Sequence, residues 1–486
     1  MERHFRRSFL HTEAKMSPFT INPEDSQPIY QQLYRHIVGE MSAGRLREGE
    51  KLPSKRALAA HLHVSQTTVE NAYTMLVTEG YLIARPRSGY YAAHLEQPLQ
   101  PSAETEQTSV GISWPEREPT EVAIQAHFRT NAVDTTLFPY SAWARIQREV
   151  LHGSKELLNH GDVRGDAALR EVLCKYLHEY RGAQCSPEQI VIGAGVEYLV
   201  GLVCMLLGAQ SVFALEDPGY PKVRQIVRNH GRTAVAVPVG AQGMDLDALE
   251  KSGATAAYVT PSHQFPTGVT MPIPARMRLL TWAHARPDRF IIEDDYDSEF
   301  RYLGKPIPSL QGLDAQGKVI YLGTFSRTLA PSIRIAYMIL PEQLLKPYHD
   351  AFSLYASTVS RFEQQTLARF IAEGHYTRHL NRVRSLYRRR KEYVVAALRA
   401  LPIAQHLEIR GENAGLHFLL RVRGLGSEPE LMARLRAAGI RVHSLREYAF
   451  GPGAADEPPA LVLGYAGLSE EEISRSVKAL SSALNP

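Results

Sequence analysis

Seven short apolar runs constrain this chain more than any other feature. They fall at 190–192, 211–215, 234–239, 256–260, 290–293, 319–322 and 333–340, and they are apolar almost throughout. A strand with one wet face alternates apolar and polar residues; a strand covered on both faces does not. Helical stretches lie between several of the runs. Covered strands separated by helices predict a doubly wound α/β domain with about seven mostly parallel strands. Its functional residues are expected at strand ends. This domain is placed at 122–486. A long basic helix, 378–391, leads into a small α+β subdomain. Its repeated arginines read as solvated or subunit-facing surface, with DNA contact as the alternative.

At 486 residues the chain exceeds one ordinary core, so a second domain is expected. Ile29, Leu33, Ile37 and Met41 repeat at helical spacing, and that helix ends near Gly44. Ser54 can cap a second helix over 55–62, with Leu58 and Leu62 inward. Ser65 can cap a third, whose core face is Val69, Ala72, Tyr73 and Leu76. Its exposed first turn is Gln66, Thr67 and Thr68, with Asn71 one turn on. Gly80 stops it. Residues 81–84 and 89–91 then alternate like a hairpin around Arg85-Pro86-Arg87-Ser88. Three helices and a basic hairpin make a winged helix-turn-helix, placed at 26–92. A capped helix start can approach phosphate while its first turn reaches base edges in the major groove. Arg85 and Arg87 suit the minor groove or the DNA backbone. The alternative is a three-helix domain that contacts protein. Residues 1–93 hold 12 Lys and Arg against 9 Asp and Glu, most of the chain's +4 excess.

Residues 1–25 read as a disordered leader with no signal-peptide core, and Met16 is an equally good start. No apolar run approaches the roughly 20 residues of a membrane span. Residues 93–121, rich in Pro, Glu, Gln, Ser and Thr, read as a flexible tether with Trp114 as a local anchor. Cys174, Cys185 and Cys204 have neither metal-ligand nor redox spacing. They read as reduced, buried thiols of a cytoplasmic protein.

Several strand ends carry chemistry. Gly193-Ala194-Gly195 offers bare amides before a helix. The run 216–220 puts Tyr220 after a turn. The loop 260–268 carries His263, either a base or a structural hydrogen-bonding residue. The run 293–300 is densely acidic, without His or Cys nearby in sequence to suggest a metal. Gly323-Thr324-Phe325-Ser326-Arg327, with Arg334 beyond, makes an anion pocket at the end of a buried strand.

The stretch 52–69 resembles the GntR family of bacterial repressors. The resemblance implies that Arg56, Ser65, Gln66, Thr67, Thr68, Asn71, Arg85 and Arg87 meet double-stranded DNA. The ordered strand-end motifs, from Gly195 to Arg334, resemble the fold-type-I aminotransferases that use pyridoxal 5′-phosphate (PLP). Together the two halves resemble the MocR regulators, close to their GABA-sensing branch. That implies an aminotransferase-like domain that senses an amino-acid-like effector, and a homodimer with swapped domains.

By the same resemblance Asp294 would pair with the pyridine nitrogen, Tyr296 with the ring hydroxyl, and Tyr220 would stack on the ring. Gly195, Thr324, Ser326 and Arg334 would form the phosphate end. Arg327 stands where the family has its imine-forming lysine. An arginine stays protonated and cannot form that imine. Lys305 and Lys318, the nearest lysines in sequence, lie on the wrong side of the strand. Val196 and Glu197 stand where relatives have a hydroxyl and an amide, and Pro458 where the GABA-sensing branch has a carboxylate-clamping Arg. The resemblance therefore implies a degenerate sensor without transaminase activity, with PLP bound non-covalently, as a preformed amino-acid adduct, or lost. Arg327 would then bind Glu197, Asp294 or an anion. The competing readings are an active PLP aminotransferase that retains a DNA-binding domain, and a scaffold whose first domain only dimerises.

Overall fold

The computed structural model describes residues 27–94, 124–153, 155–302, 307–451 and 458–484. The chain divides into two compact units, Met1–Glu118 and Pro119–Pro486. The leader, Trp114 and Lys305 lie outside the described residues.

In the first unit, α1 (Ile29–Ser42), α2 (Lys55–Leu62) and α3 (Gln66–Thr78) precede a hairpin of β1 (Leu82–Arg85) and β2 (Gly89–Ala92). Leu33, Ile37, Leu58, Val69, Ala72, Tyr73 and Leu76 form its core. Ile29 differs from the expectation. It opens its helix before the neighbouring layer begins, and it is exposed. Leu62 is only half-buried, because α2 ends there and turns through His63 in the left-handed region. Ala93, placed in the tether by its composition, is buried, and its N–H donates to Tyr81 O at 2.9 Å.

The second unit opens with β3 (Ala126–His127), α4 (Tyr140–Gly153) and α5 (Ala167–Arg181). Its main sheet has eight strands. They are β4 (Ile190–Gly193), β5 (Val212–Asp217), β6 (Thr233–Gly240), β7 (Gly243–Met244), β8 (Ala256–Val259), β9 (Phe290–Asp295), β10 (Val319–Thr324) and β11 (Ala336–Ile339). Their order is β4-β11-β10-β9-β8-β5-β6-β7. The middle pairs, β10–β9, β9–β8, β8–β5 and β5–β6, are parallel; β11 and β7 pair antiparallel. All seven expected runs are strands here. The last is shorter than its apolar stretch. Pro331–Ile333 form a short 3-10 turn, and Arg334 at φ 52° delays the strand to Ala336.

Period-two burial explains why the runs are apolar. On β9, Phe290 and Ile292 face α6 (Val196–Leu206) and α7 (Pro221–Asn229), while Ile291 faces the helix Ile273–His284. The helix His375–Arg399 leads to a four-stranded sheet of Leu407–Arg410, His417–Val422, Ala460–Gly464 and His443–Ser444. Of its arginines, Arg390 is buried, bonding Ala466 O and Asp134, while Arg382, Arg388 and Arg389 are exposed. The thiols differ from expectation too. Cys174 and Cys185 are half-buried, with sulfurs 4.0 Å apart.

Glu293, Asp294 and Asp295 close β9, all buried. Asp295 Oδ2 accepts from Arg181 Nε at 2.6 Å and from Tyr321 OH at 2.5 Å. Arg181 also donates to Ile307 O and Ser262 Oγ. Removing one partner of a buried pair leaves an unmatched charge, at a cost of about 3–5 kcal/mol. Arg181→Met is expected to lose that much in urea unfolding. Arg181→Met with Asp295→Asn is expected to recover most of it.

Candidate functional site

Two groups of side chains await a function, one on each unit. On the first unit, Ser65 caps α3 by accepting from Thr68 N at 3.1 Å, and its Oγ lies 2.8 Å from Thr68 Oγ1. Those two hydroxyls are thereby occupied with each other. Gln66, Thr67 and Asn71 are exposed on the same stretch, as is Arg56 on α2. Arg85 lies flat on Tyr91, 4.5 Å from the ring centre. Arg87 holds the hairpin tip with φ 60° and is exposed. The structure thus leaves three polar side chains on a helix start and two arginines on a wing.

On the second unit, the carboxyl ends of the parallel strands surround a cavity of about 170 Å³. Tyr220, Asp294, Tyr296, Thr324, Ser326, Arg327 and Arg334, all expected from the sequence, line it. Gly195 lies beside it at φ 96°, at the start of α6. A Cβ there would come within 2.2 Å of Arg334 Nη2, so a side chain at 195 would displace the guanidinium and also strain the backbone. Arg334 Nη2 also donates to Ala194 O at 3.0 Å. Thr324 Oγ1 accepts from Ser326 N at 3.1 Å.

The cavity also contains residues that the sequence reading missed. Lys222, on the first turn of α7, binds Glu197 at 3.1 Å, and Glu197 binds Arg334 at the same distance. Asn131 and Phe265 complete part of the wall. Lys222 follows Tyr220-Pro221 at a helix start, a spacing that turns it back toward the strand ends. Lys318, by contrast, bonds Pro287 O and does not line the cavity. Pro458, just before the strand Ala460–Gly464, does not line it either.

Arg327 does not pair with Glu197 or Asp294. Its Nη1 donates to Thr130 O at 2.8 Å, and its guanidinium lies 5.9 Å from the Tyr296 ring centre. It makes no ion pair with any described residue. Lys222 and Arg334 hold Glu197, and the Tyr258 hydroxyl holds Asp294 Oδ2. Asp294 Oδ1 is buried without a hydrogen-bond partner among the described residues.

The Tyr296 hydroxyl meets His263, 3.0 Å from Nδ1 and 3.0 Å from the carbonyl oxygen. His263 Nδ1 is 2.9 Å from Asp297, and its ring packs 4.7 Å from that of His417. The acidic stretch therefore has two histidines beside it, His263 from a loop and His417 from the start of the strand His417–Val422, both remote in sequence. Donor atoms of His263, Asp297 and His417 lie within 4.8 Å of one another. They are engaged as a hydrogen-bonded stack: His263 with Asp297 and Tyr296, and His417 Nε2 with Pro266 O at 3.2 Å. Burial, then His263 and Arg327, keep His417 well below the usual histidine range and uncharged. The stack holds Tyr296 at the cavity wall.

Burial pushes the Asp294 carboxyl up to about 7, against the Tyr258 hydroxyl, which pulls it down. An unfolded Asp titrates at about 3.9. The folded state therefore binds this proton more tightly than the unfolded chain, and the group's contribution to stability falls as pH rises from about 4 to 7. Every tenfold difference in proton affinity between the two states is worth about 1.4 kcal/mol. Asp294→Asn has no such dependence. Its stability relative to the parent protein is expected to rise across that window and level off above it, as read by urea unfolding at a series of pH values.

Known proteins share both halves of this architecture. The family model for aminotransferase class I and II matches residues 126–480, and that for bacterial regulatory proteins of the gntR family matches residues 29–91. The HTH-type transcriptional regulator YdeL of Bacillus subtilis (strain 168) is 41% identical over 471 residues, covering 96% of this chain and 99% of that protein. MocR of Rhizobium meliloti is 33% identical, covering 94% of each chain. Among solved structures, the α-aminoadipate aminotransferase LysN of Thermus thermophilus, complexed with N-(5'-phosphopyridoxyl)-L-leucine, superposes with a TM-score of 0.63. It is 28% identical and covers 74% of this chain and 92% of that one. The kynurenine aminotransferase of Pyrococcus horikoshii, at 23% identity and a TM-score of 0.66, shares the fold. With a GntR winged helix-turn-helix joined to a class I/II aminotransferase-like domain, and with regulators matching along nearly its whole length, the chain belongs to the MocR-type family of transcriptional regulators.

Proposed function

We propose that this protein regulates transcription by binding double-stranded DNA through its first unit, and that its second unit is a ligand sensor without transaminase activity. The observation that carries the DNA reading is the exposed polar start of α3 beside the arginines of the wing. Gln66, Thr67 and Asn71 would read base edges. Arg56, Arg85 and Arg87 would hold phosphates, and Ser65 and Thr68 would fix the helix start. The protein would work in the cytoplasm as a homodimer, as two half-sites require, with the domain swap that the family resemblance implies.

The sensor reading rests on Arg327. In the fold-type-I aminotransferases a lysine there supplies the amine for the imine with PLP; a guanidinium stays protonated and cannot. Asp294 Oδ1, buried and without a partner among the described residues, fits a ring nitrogen, which PLP possesses. A covalent attachment at position 327 does not fit, and the cavity's own lysine, Lys222, is paired with Glu197. PLP would meet this chain non-covalently or not at all, and we derive no reaction from it.

Two outcomes test this. On DNA from upstream of the protein's own coding sequence, Arg56→Ala and Arg87→Ala are expected to weaken binding on all sequences alike. Each would lower the log–log salt slope by about 1. Thr67→Ala is expected to weaken specific binding alone. Unchanged binding in all three variants would sink the assigned reading head. Separately, the protein mixed with PLP is expected to show no imine absorbance and to retain no pyridoxyl group after borohydride. A fixed chromophore would favour the aminotransferase reading.

A further inference from the structure

The charges in the cavity are met unequally. At the end formed by Thr324, Ser326 and Arg334, an anion is already in place. Glu197 stands 3.1 Å from Lys222 and 3.1 Å from Arg334. Across the cavity Arg327 has a carbonyl for one nitrogen and no carboxylate among the described residues. Asp294 lines the same cavity, and its Oδ1 is buried and without a donor among those residues. The aromatic rings of Tyr220, Phe265 and Tyr296 line the same cavity.

These features select a ligand. Aromatic walls suit a flat ring. The orphaned Asp294 oxygen calls for a ring N–H, because a buried acceptor without a donor is unfavourable. An unpaired guanidinium fits a carboxylate with two parallel hydrogen bonds, and it fits an aldehyde oxygen less well. A phosphate at the Arg334 end would face Glu197, and like charges at that distance repel unless the glutamate leaves.

We propose that the cavity takes a planar nitrogen heterocycle bearing a carboxylate, with its ring nitrogen on Asp294 and its carboxylate on Arg327, and with no phosphate required because Glu197 fills that role. The proposal rests on the sensor reading above and names the ligand class for it. It reverses the polarity of the site. The ligand's charge sits where an aldehyde carbon would be attacked, and the protein supplies the anion at the other end.

The test uses the full-length protein with 4-pyridoxic acid as probe, followed by calorimetry and by the probe's fluorescence. Pyridoxine, which has a hydroxymethyl group in place of the carboxylate, and PLP serve as comparators. The acid is expected to bind one per chain, at least tenfold more tightly than pyridoxine and more tightly than PLP. Arg327→Met is expected to abolish the preference over pyridoxine. Glu197→Gln is expected to improve PLP binding and leave the acid's affinity within about threefold. Arg327→Lys is expected to acquire a borohydride-fixable absorbance with PLP, which also shows that the site remains folded. Binding of PLP more tightly than the acid, an acid preference that survives Arg327→Met, or no binding of the acid would each overturn the proposal. DNA binding of the same preparation separates the two readings. If it persists while the acid does not bind, the ligand class is wrong and the regulator stands.

Discussion

Three consecutive buried carboxyls at the end of β9 constrain the larger unit, because each needs a different answer from its surroundings. Glu293 accepts from the amides of Leu310 and Gln311, at the start of a helical turn. Asp295 alone of the three forms an ion pair among the described residues, with Arg181 of α5, and has Tyr321 of β10 beside it. Asp294, on the opposite side of the strand from its neighbours, has one donor, Tyr258 of β8, and lines the cavity. Burial lifts Glu293 to about 7, as it does Asp294. Strand alternation thus splits one acidic run into two groups anchored within the fold and one, Asp294, on the cavity wall.

Much of this was legible in advance where a local rule acts alone. Ser54 and Ser65 cap their helices because a hydroxyl can accept from the open amides of the first turn. The seven strands were legible because covering both faces removes polar residues from them. What escaped depends on contacts between distant residues. Lys222 reaches the cavity only because α7 starts there. The shortening of β11 follows from a left-handed Arg334, and nothing in Ile333-Arg334-Ile335 announces that backbone. The neighbours of Arg327 were guessed from charge alone. Glu197 is held by two other cations, and no reading of single residues ranks such rivals. His263, from a loop, and His417, from the first position of a strand, are brought beside Asp297 from far away in sequence.

The two units carry different kinds of information. The first offers a stiff, capped helix start and a wing in which Arg85 rests on Tyr91 while Arg87 stands at the tip. The second offers a small polar cavity at the ends of parallel strands, where such sheets commonly hold ligands. On the proposed reading, the cavity keeps an aminotransferase-like binding geometry, and the demand on it is discrimination between ligands, for which unpaired charges and orphaned acceptors serve better than a reactive amine.

Gly195 and Arg334 are far apart in sequence yet form one unit. The guanidinium lies where any side chain at 195 would begin. Arg334 itself holds a backbone conformation that few residues other than glycine adopt readily. A side chain at 195 would displace the Arg334 guanidinium from its bond to Ala194 O. Glu197 and Lys222 are different. They are partly exposed, and each can be exchanged singly with small effect on folding. The backbone at this end of the cavity is therefore constrained by Gly195 and Arg334, while the charge at its rim can be altered through Glu197 and Lys222 at little cost to folding.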